Sequence, residues 1–132
     1  MLPVQEPVSI LTHDPVTLLW HHFNKRNWYA AKQLLAPNFV AEWPQTRERI
    51  KGADNFIELN SHYPGQWQCQ LKKNISYSEN KRMSLVIITN GTNIFYATSF
   101  YTLDHDKITH ALEFFAENSA PPYNRAQWVE YY

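Results

Sequence analysis

The sequence predicts an α+β domain in which helices pack on a curved antiparallel sheet around an aromatic-lined pocket. Three observations carry that expectation. Apolar residues recur at helical spacing up to Gly65 and at alternating spacing after it, so helices come first and a meander of strands follows. Asn90-Gly91 and His105-Asp106 supply tight-turn chemistry between the later alternating runs. Five tryptophans, eight tyrosines and seven phenylalanines in 132 residues exceed what one small core absorbs, so some rings should line a cavity or an interface.

Each element has its own signal. Residues 1–13 carry two prolines and no period, and read as an N-terminal arm. Asp14 can cap the free amides of a first helix, and Pro15 fits its first position, where a missing N–H costs nothing. Leu18, Leu19 and Phe23, with His22 beside them, form its apolar stripe. A second helix is expected from about Asn27 to Leu35, ending before Pro37, with Trp28, Ala31, Leu34 and Leu35 inward. Phe39 to Trp43 alternates as a short strand closed by Pro44. Gly52 opens a third helix, Ala53 to about His62, with Phe56, Ile57 and Leu59 inward. Strands are then expected over 66–77, 82–90, 94–104 and 108–117, and a tail over 118–132. No repeat or linker interrupts the chain, which reads as one domain over 1–132.

Charge and motifs narrow the function. Twelve basic residues balance twelve acidic ones, leaving no broad positive field to gather nucleic acid. No run of 18 apolar residues suggests a membrane span, and the N-terminus carries no secretion signal. The lone Cys69 cannot close an internal disulfide, which fits a reducing compartment and a cytoplasmic protein. His21 and His22 point about 100° apart on a helix, and no HxH, HExxH or CxxC spacing occurs, so no metal is expected. Three scattered glycines build no phosphate cradle, and no cofactor is implied.

A two-residue turn at His105-Asp106 would set Asp104 opposite Lys107 and Glu113 opposite Thr98. Ile94, Tyr96, Thr98, Phe100, Ala111, Glu113 and Phe115 would then share one face, and Ala97, Ser99, Tyr101 and His110 the other; a one-residue slip would exchange the sets. Both faces are apolar, so the face without helices needs a cover. A second copy of the sheet, giving a homodimer, is the expected one.

In this order, Asn27-Trp28, Phe39-Val40-Ala41-Glu42-Trp43-Pro44-Gln45, Glu48-Arg49-Ile50-Lys51-Gly52-Ala53, Tyr63-Pro64-Gly65-Gln66-Trp67, Ile108 through Phe115 and Pro121 through Trp128 make the chain resemble the nuclear-transport-factor-two-like superfamily, in its SnoaL-like branch. The resemblance implies a cystatin-like α+β barrel, a cone of helices and bent sheet enclosing a pocket, with dimers made through the outer sheet face. It also implies a range of roles, from isomerases, dehydratases and cyclases to binders without chemistry. Ketosteroid-isomerase relatives place a carboxylate base just before the proline ending the first strand, and Trp43 stands there. Their first-helix tyrosine falls near Leu19. The usual steroid-isomerising groups are therefore missing.

Glu113 is the sharpest candidate, a carboxylate among apolar neighbours on the expected pocket face. Desolvation would raise its pKa and suit it to acid–base work; alternatively it is a buried acid satisfied by Arg49, a hydroxyl or a backbone amide. Arg49 could hold a substrate anion at the pocket mouth or make a structural ion pair. Tyr96 could donate its phenol to a developing oxyanion. Trp20, Trp43, Phe100 and Phe115, with Thr98, are the expected ligand-binding wall. The functional expectation is a pocket for a small hydrophobic molecule, with proton transfer by Glu113 and charge stabilised by Tyr96 or Arg49. The alternatives are a binder without chemistry and a protein-interaction module using the outer sheet or the aromatic tail.

Overall fold

In the computed structural model, residues 14–132 are described; the arm expected over 1–13, with His13, lies outside them. The elements run α1 (Pro15–Lys25), α2 (Trp28–Lys32), β1 (Leu35–Trp43), β2 (Glu48–Lys51), α3 (Ala53–Ser61), β3 (Gln68–Ser78), β4 (Lys81–Thr89), β5 (Ile94–Asp104) and β6 (Lys107–Glu117). The strands form one six-stranded sheet in the order β2-β1-β6-β5-β4-β3. Neighbours are antiparallel except β1 and β6, which run parallel. The sheet curls without closing, leaving β2 and β3 as edges, and the three helices cover its concave face.

Helix α1 begins as its sequence dictates. Asp14 Oδ2 accepts from the amides of Val16 (3.0 Å) and Thr17 (3.3 Å), and Pro15 is the first helical residue. The same carboxylate reaches across the fold to Asn74 Nδ2 (2.8 Å) and Arg82 Nε (3.0 Å), pinning the start of α1 to β3 and β4. The buried stripe of α1 is Val16, Leu19, Trp20 and Phe23, whereas Leu18 and His22 are only half-buried. Arg26 ends the helix in the left-handed region, at φ 59°, and its N–H caps the carbonyls of the last turn.

Two local expectations give way to tertiary pairing. Helix α2 is five residues long, because Leu35 joins β1, where it pairs with Ile108, and the Ile108 amide donates to Leu34 O (2.9 Å). Pro37, which has no N–H for a ladder, lies where the β1–β6 register shifts. The edge strand β2 was not expected: it has four residues and only Ile50 is buried, too short a pattern to read. Gly52 turns the chain from β2 into α3 at φ 93°, a conformation that favours glycine, with its amide on Phe39 O.

The last hairpin corrects the expected facing. Asp104 faces Lys107 and Leu103 faces Ile108, as the turn predicts, but Thr102 faces His110. Thr109 is therefore an extra residue, a β-bulge whose hydroxyl donates to Thr102 O (3.2 Å). Beyond it the register is Ser99↔Glu113, Tyr101↔Ala111 and Ala97↔Phe115. Ala97, Ser99, Tyr101 and Leu103 consequently share the inner face with Ile108, Ala111 and Glu113, all buried. Tyr96, Thr98 and Phe100 lie on the outer face instead. Tyr101 and Phe39 are among the largest fully buried side chains, each contributing roughly 1.5–3 kcal/mol by leaving water.

The outer face carries Met83, Leu85 and Ile87 from β4 beside Tyr96, Phe100 and Phe114, all half-buried or exposed. Phe100 meets Tyr77 and Phe114 edge-on, at centroid distances of 6.4 and 6.5 Å. Residues 118–132 form no helix or strand; the Asn118 amide donates to Ile94 O, and Trp128 and Tyr131 are exposed.

Candidate functional site

Between the concave sheet face and the helices lies a cavity of about 610 Å³. This is the size range of sites for drug-sized molecules. Trp20 and Phe23 of α1, Trp28 of α2 and Phe56 of α3 line it from the helix side. Trp43, Ile88, Phe95 and Phe115 line it from the sheet, and Trp67 comes from the segment entering β3. The rings brace one another: Trp43 meets Phe115 at 5.4 Å, Phe56 meets Phe39 at 4.9 Å, and Trp67 meets Phe95 at 5.6 Å. Such edge and tilted contacts stabilise the wall beyond simple burial.

Glu113 lies in this lining and is 3% exposed. Its Oε1 accepts from the Trp43 indole N–H (3.0 Å) and its Oε2 from the Ser99 hydroxyl (2.7 Å). Burial pushes its carboxyl above the ordinary range, and the bonds from Ser99 and Trp43 pull it partly back. No cation pairs with it among the described residues. A second buried cluster adjoins it: the Tyr101 hydroxyl accepts from the Trp20 indole (2.8 Å) and shares a hydrogen bond with Ser84 (2.8 Å). Burial, with the nearby Glu113 charge, raises the Tyr101 phenol too, so it stays protonated. Cys69, also on the wall, is pushed up to about 11 by burial and offers no thiolate.

The expected site residues separate into two groups. Glu113, Trp20, Trp43 and Phe115 come together around the cavity. Tyr96, Thr98 and Phe100 do not, because the Thr109 bulge reverses their facing relative to Glu113. Arg49 is also outside the lining: it grips Glu42 through Nε (3.1 Å) and Nη2 (2.9 Å), a cross-strand ion pair between β2 and β1. His110 reaches the same Glu42 through Nε2 (2.9 Å), on the face opposite Glu113. The sequence reading missed Ser99 and Tyr101, which a hairpin slipped by one residue would have exposed as inward. It also missed Trp67, which it placed within the expected strand over 66–77; in the structure Trp67 precedes β3 and turns onto the cavity. Among the described residues no three metal-ligating side chains converge.

No family model matches the chain, and no curated protein does. Solved structures do. A "putative ketosteroid isomerase" from Kribbella flavida superposes with a TM-score of 0.77 at 27% identity, covering 86% of this chain and 83% of that one. An NTF-2 like protein of unknown function from Burkholderia xenovorans gives 0.75 at 22%, covering 89% and 92%. The chain has the nuclear-transport-factor-two-like fold. Other structures of similar shape carry different names: an LEH-like epoxide hydrolase from M. tuberculosis gives a TM-score of 0.65 at 14% identity, covering 77% of this chain and 80% of that one. The nuclear-transport-factor-two-like fold is thus shared by proteins of different names, and the chemistry has to be argued from the side chains in the cavity.

Proposed function

We propose that the chain binds a small, mainly apolar molecule in the aromatic cavity, and that Glu113 moves a proton on it. One observation supports this above the others. The cavity wall is oily and ringed by indoles and phenyls, yet it contains a buried carboxylate held only by two neutral donors. The charged form of such a group is poorly solvated, so its proton is held more tightly than by an ordinary carboxyl, the direction that suits an acid–base catalyst. Ser99 and Trp43 each fix one oxygen and hold the carboxyl plane. Trp20, Trp43 and Phe115 would be ligand contacts, and a cyclic or aromatic carbonyl compound suits their shape. Arg49 and Tyr96, away from the cavity, have no part in this reading. We place the protein as a single cytoplasmic domain, dimerising through its apolar outer sheet face. Among the described residues no helix is long and apolar enough to cross a membrane. Binding without chemistry has one observation in its favour, that both Glu113 oxygens already accept a hydrogen bond.

The test uses 2-tetralone, a bicyclic ketone with exchangeable α-hydrogens. Saturable acceleration of its hydrogen–deuterium exchange, followed by NMR and lost in Glu113→Gln, is expected. Binding without acceleration would leave only the non-catalytic role, and no binding at all would remove both.

A further inference from the structure

Arg26 is the cation at the cavity that the reading above leaves unused. It sits in the lining where α1 ends, on the side formed by Tyr63, Pro64 and Trp67. Its Nη2 donates to the carbonyls of Gly65 (3.5 Å) and Trp67 (3.3 Å), both neutral acceptors at long range. Nε and Nη1 make no hydrogen bond, and no carboxylate pairs with the guanidinium, among the described residues. Other polar groups of the lining are committed inward: Gln45 to the Phe115 amide, Thr46 to Glu48, Asn60 to Phe56 O and the Trp67 indole to Pro64 O. The guanidinium therefore keeps most of its fork of donors open beside an apolar cavity. The backbone that carries it is tied down, since Asn24 Oδ1 accepts from the Cys69 amide (2.8 Å) and joins the end of α1 to the start of β3. Its charge is also felt inside, where it opposes the upward push of burial on the Cys69 thiol.

Resting on the proposed ligand-binding role, we propose that the ligand is an acid: an apolar, ring-bearing molecule whose carboxylate docks on Arg26. A guanidinium with free N–H groups matches a carboxylate in two-pronged geometry, which a neutral amide cannot reproduce. The apolar body lies among the indole and phenyl rings and directs its reacting end toward Glu113. One end of the cavity selects charge and the other exchanges protons.

Calorimetric titration with 2-naphthylacetate and its neutral partner 2-naphthylacetamide tests this. The acid should bind about tenfold more tightly than the amide at pH 7.5 and low salt, the preference shrinking as salt screens the pair. Arg26→Gln should erase that preference while leaving the amide's affinity unchanged. Arg26→Asn should do the same, and because asparagine tolerates the left-handed backbone at this position, it guards against a folding defect. Equal affinity of acid and amide for the native protein, or an Arg26 variant that keeps the preference, would overturn the acid-binding inference alone. Failure of both probes to bind would overturn the ligand-binding role and this inference with it.

Discussion

Glu113→Gln should change how stability depends on pH more than it changes stability at any one pH. The glutamine is nearly isosteric and neutral. Its Oε1 can accept from Trp43, while its amide group can donate to Ser99, whose hydroxyl turns to accept, so neither partner is orphaned. In the native protein the carboxylate gains roughly 1.5–3 kcal/mol from each hydrogen bond, against a burial cost of several kcal/mol, and no cation among the described residues closes the gap. Its folded pKa therefore lies above the unfolded value. The sign follows from proton counting: between the two pKa values the folded state holds the proton and the unfolded state has lost it. The contribution of this group to stability is thus full below about pH 4.3, the unfolded value, and falls as pH rises, by about 1.4 kcal/mol per pH unit, until the folded pKa is passed. Urea denaturation of both proteins at intervals from pH 4 to 9 isolates this effect, because the other titrating groups are common to both. The native protein should lose stability relative to Glu113→Gln as pH rises from 4.5. A difference that stays constant over the whole range would refute a proton-retaining carboxyl at this position.

Trp43→Phe keeps a ring in the wall but removes a donor that favours the charged form, so the pH window of falling stability should extend upward from its native position in the same urea series. Tyr101→Phe leaves the buried Trp20 indole and Ser84 hydroxyl without their shared partner and should cost about 1–3 kcal/mol, read as a lower urea midpoint at unchanged slope. Phe100→Glu places a charge on the outer face, away from the cavity; sedimentation should show a dimer for the native protein and a monomer for the variant, with binding of 2-tetralone retained. A native monomer at micromolar concentration would remove the dimer from the proposal.

Much of the architecture was legible because its signals are local. Asp14-Pro15 specifies the start of α1 through one side chain and one missing N–H, and the alternation after Gly65 specifies a meander whatever its partners. The failures share a different cause. Leu35 has helical neighbours but joins β1 because Ile108, more than seventy positions away, offers a ladder partner. The Thr109 bulge is equally non-local: nothing in Thr109-His110 marks an extra residue, and inward placement of both Ile108 and Ala111 against the helices requires it. That one residue decides whether Tyr96 and Thr98 or Ser99 and Tyr101 share the concave face with Glu113. The identity of the carboxylate was readable from the sequence, and that of its donors was not.

The β1–β6 pair carries acids on both its faces, and their contrast argues for the assignment of roles. Glu42 pairs with Leu112, so the next residues along, Trp43 and Glu113, lie side by side on the concave face. Outward, Glu42 accepts from His110 and Arg49, and those two bonds, His110 first, hold its carboxyl below the usual range. Inward, Glu113 meets only an indole and a hydroxyl, and burial moves its carboxyl up. Two acids on neighbouring strands are thus driven apart in proton affinity by which side of the sheet they face, the separation on which the proposed role of Glu113 rests. Trp43 occupies the position where the superfamily resemblance expects a carboxylate base. Here the indole at that position donates to Glu113 on the adjoining strand, so the carboxyl that lines the cavity stands across the β1–β6 ladder from the expected place.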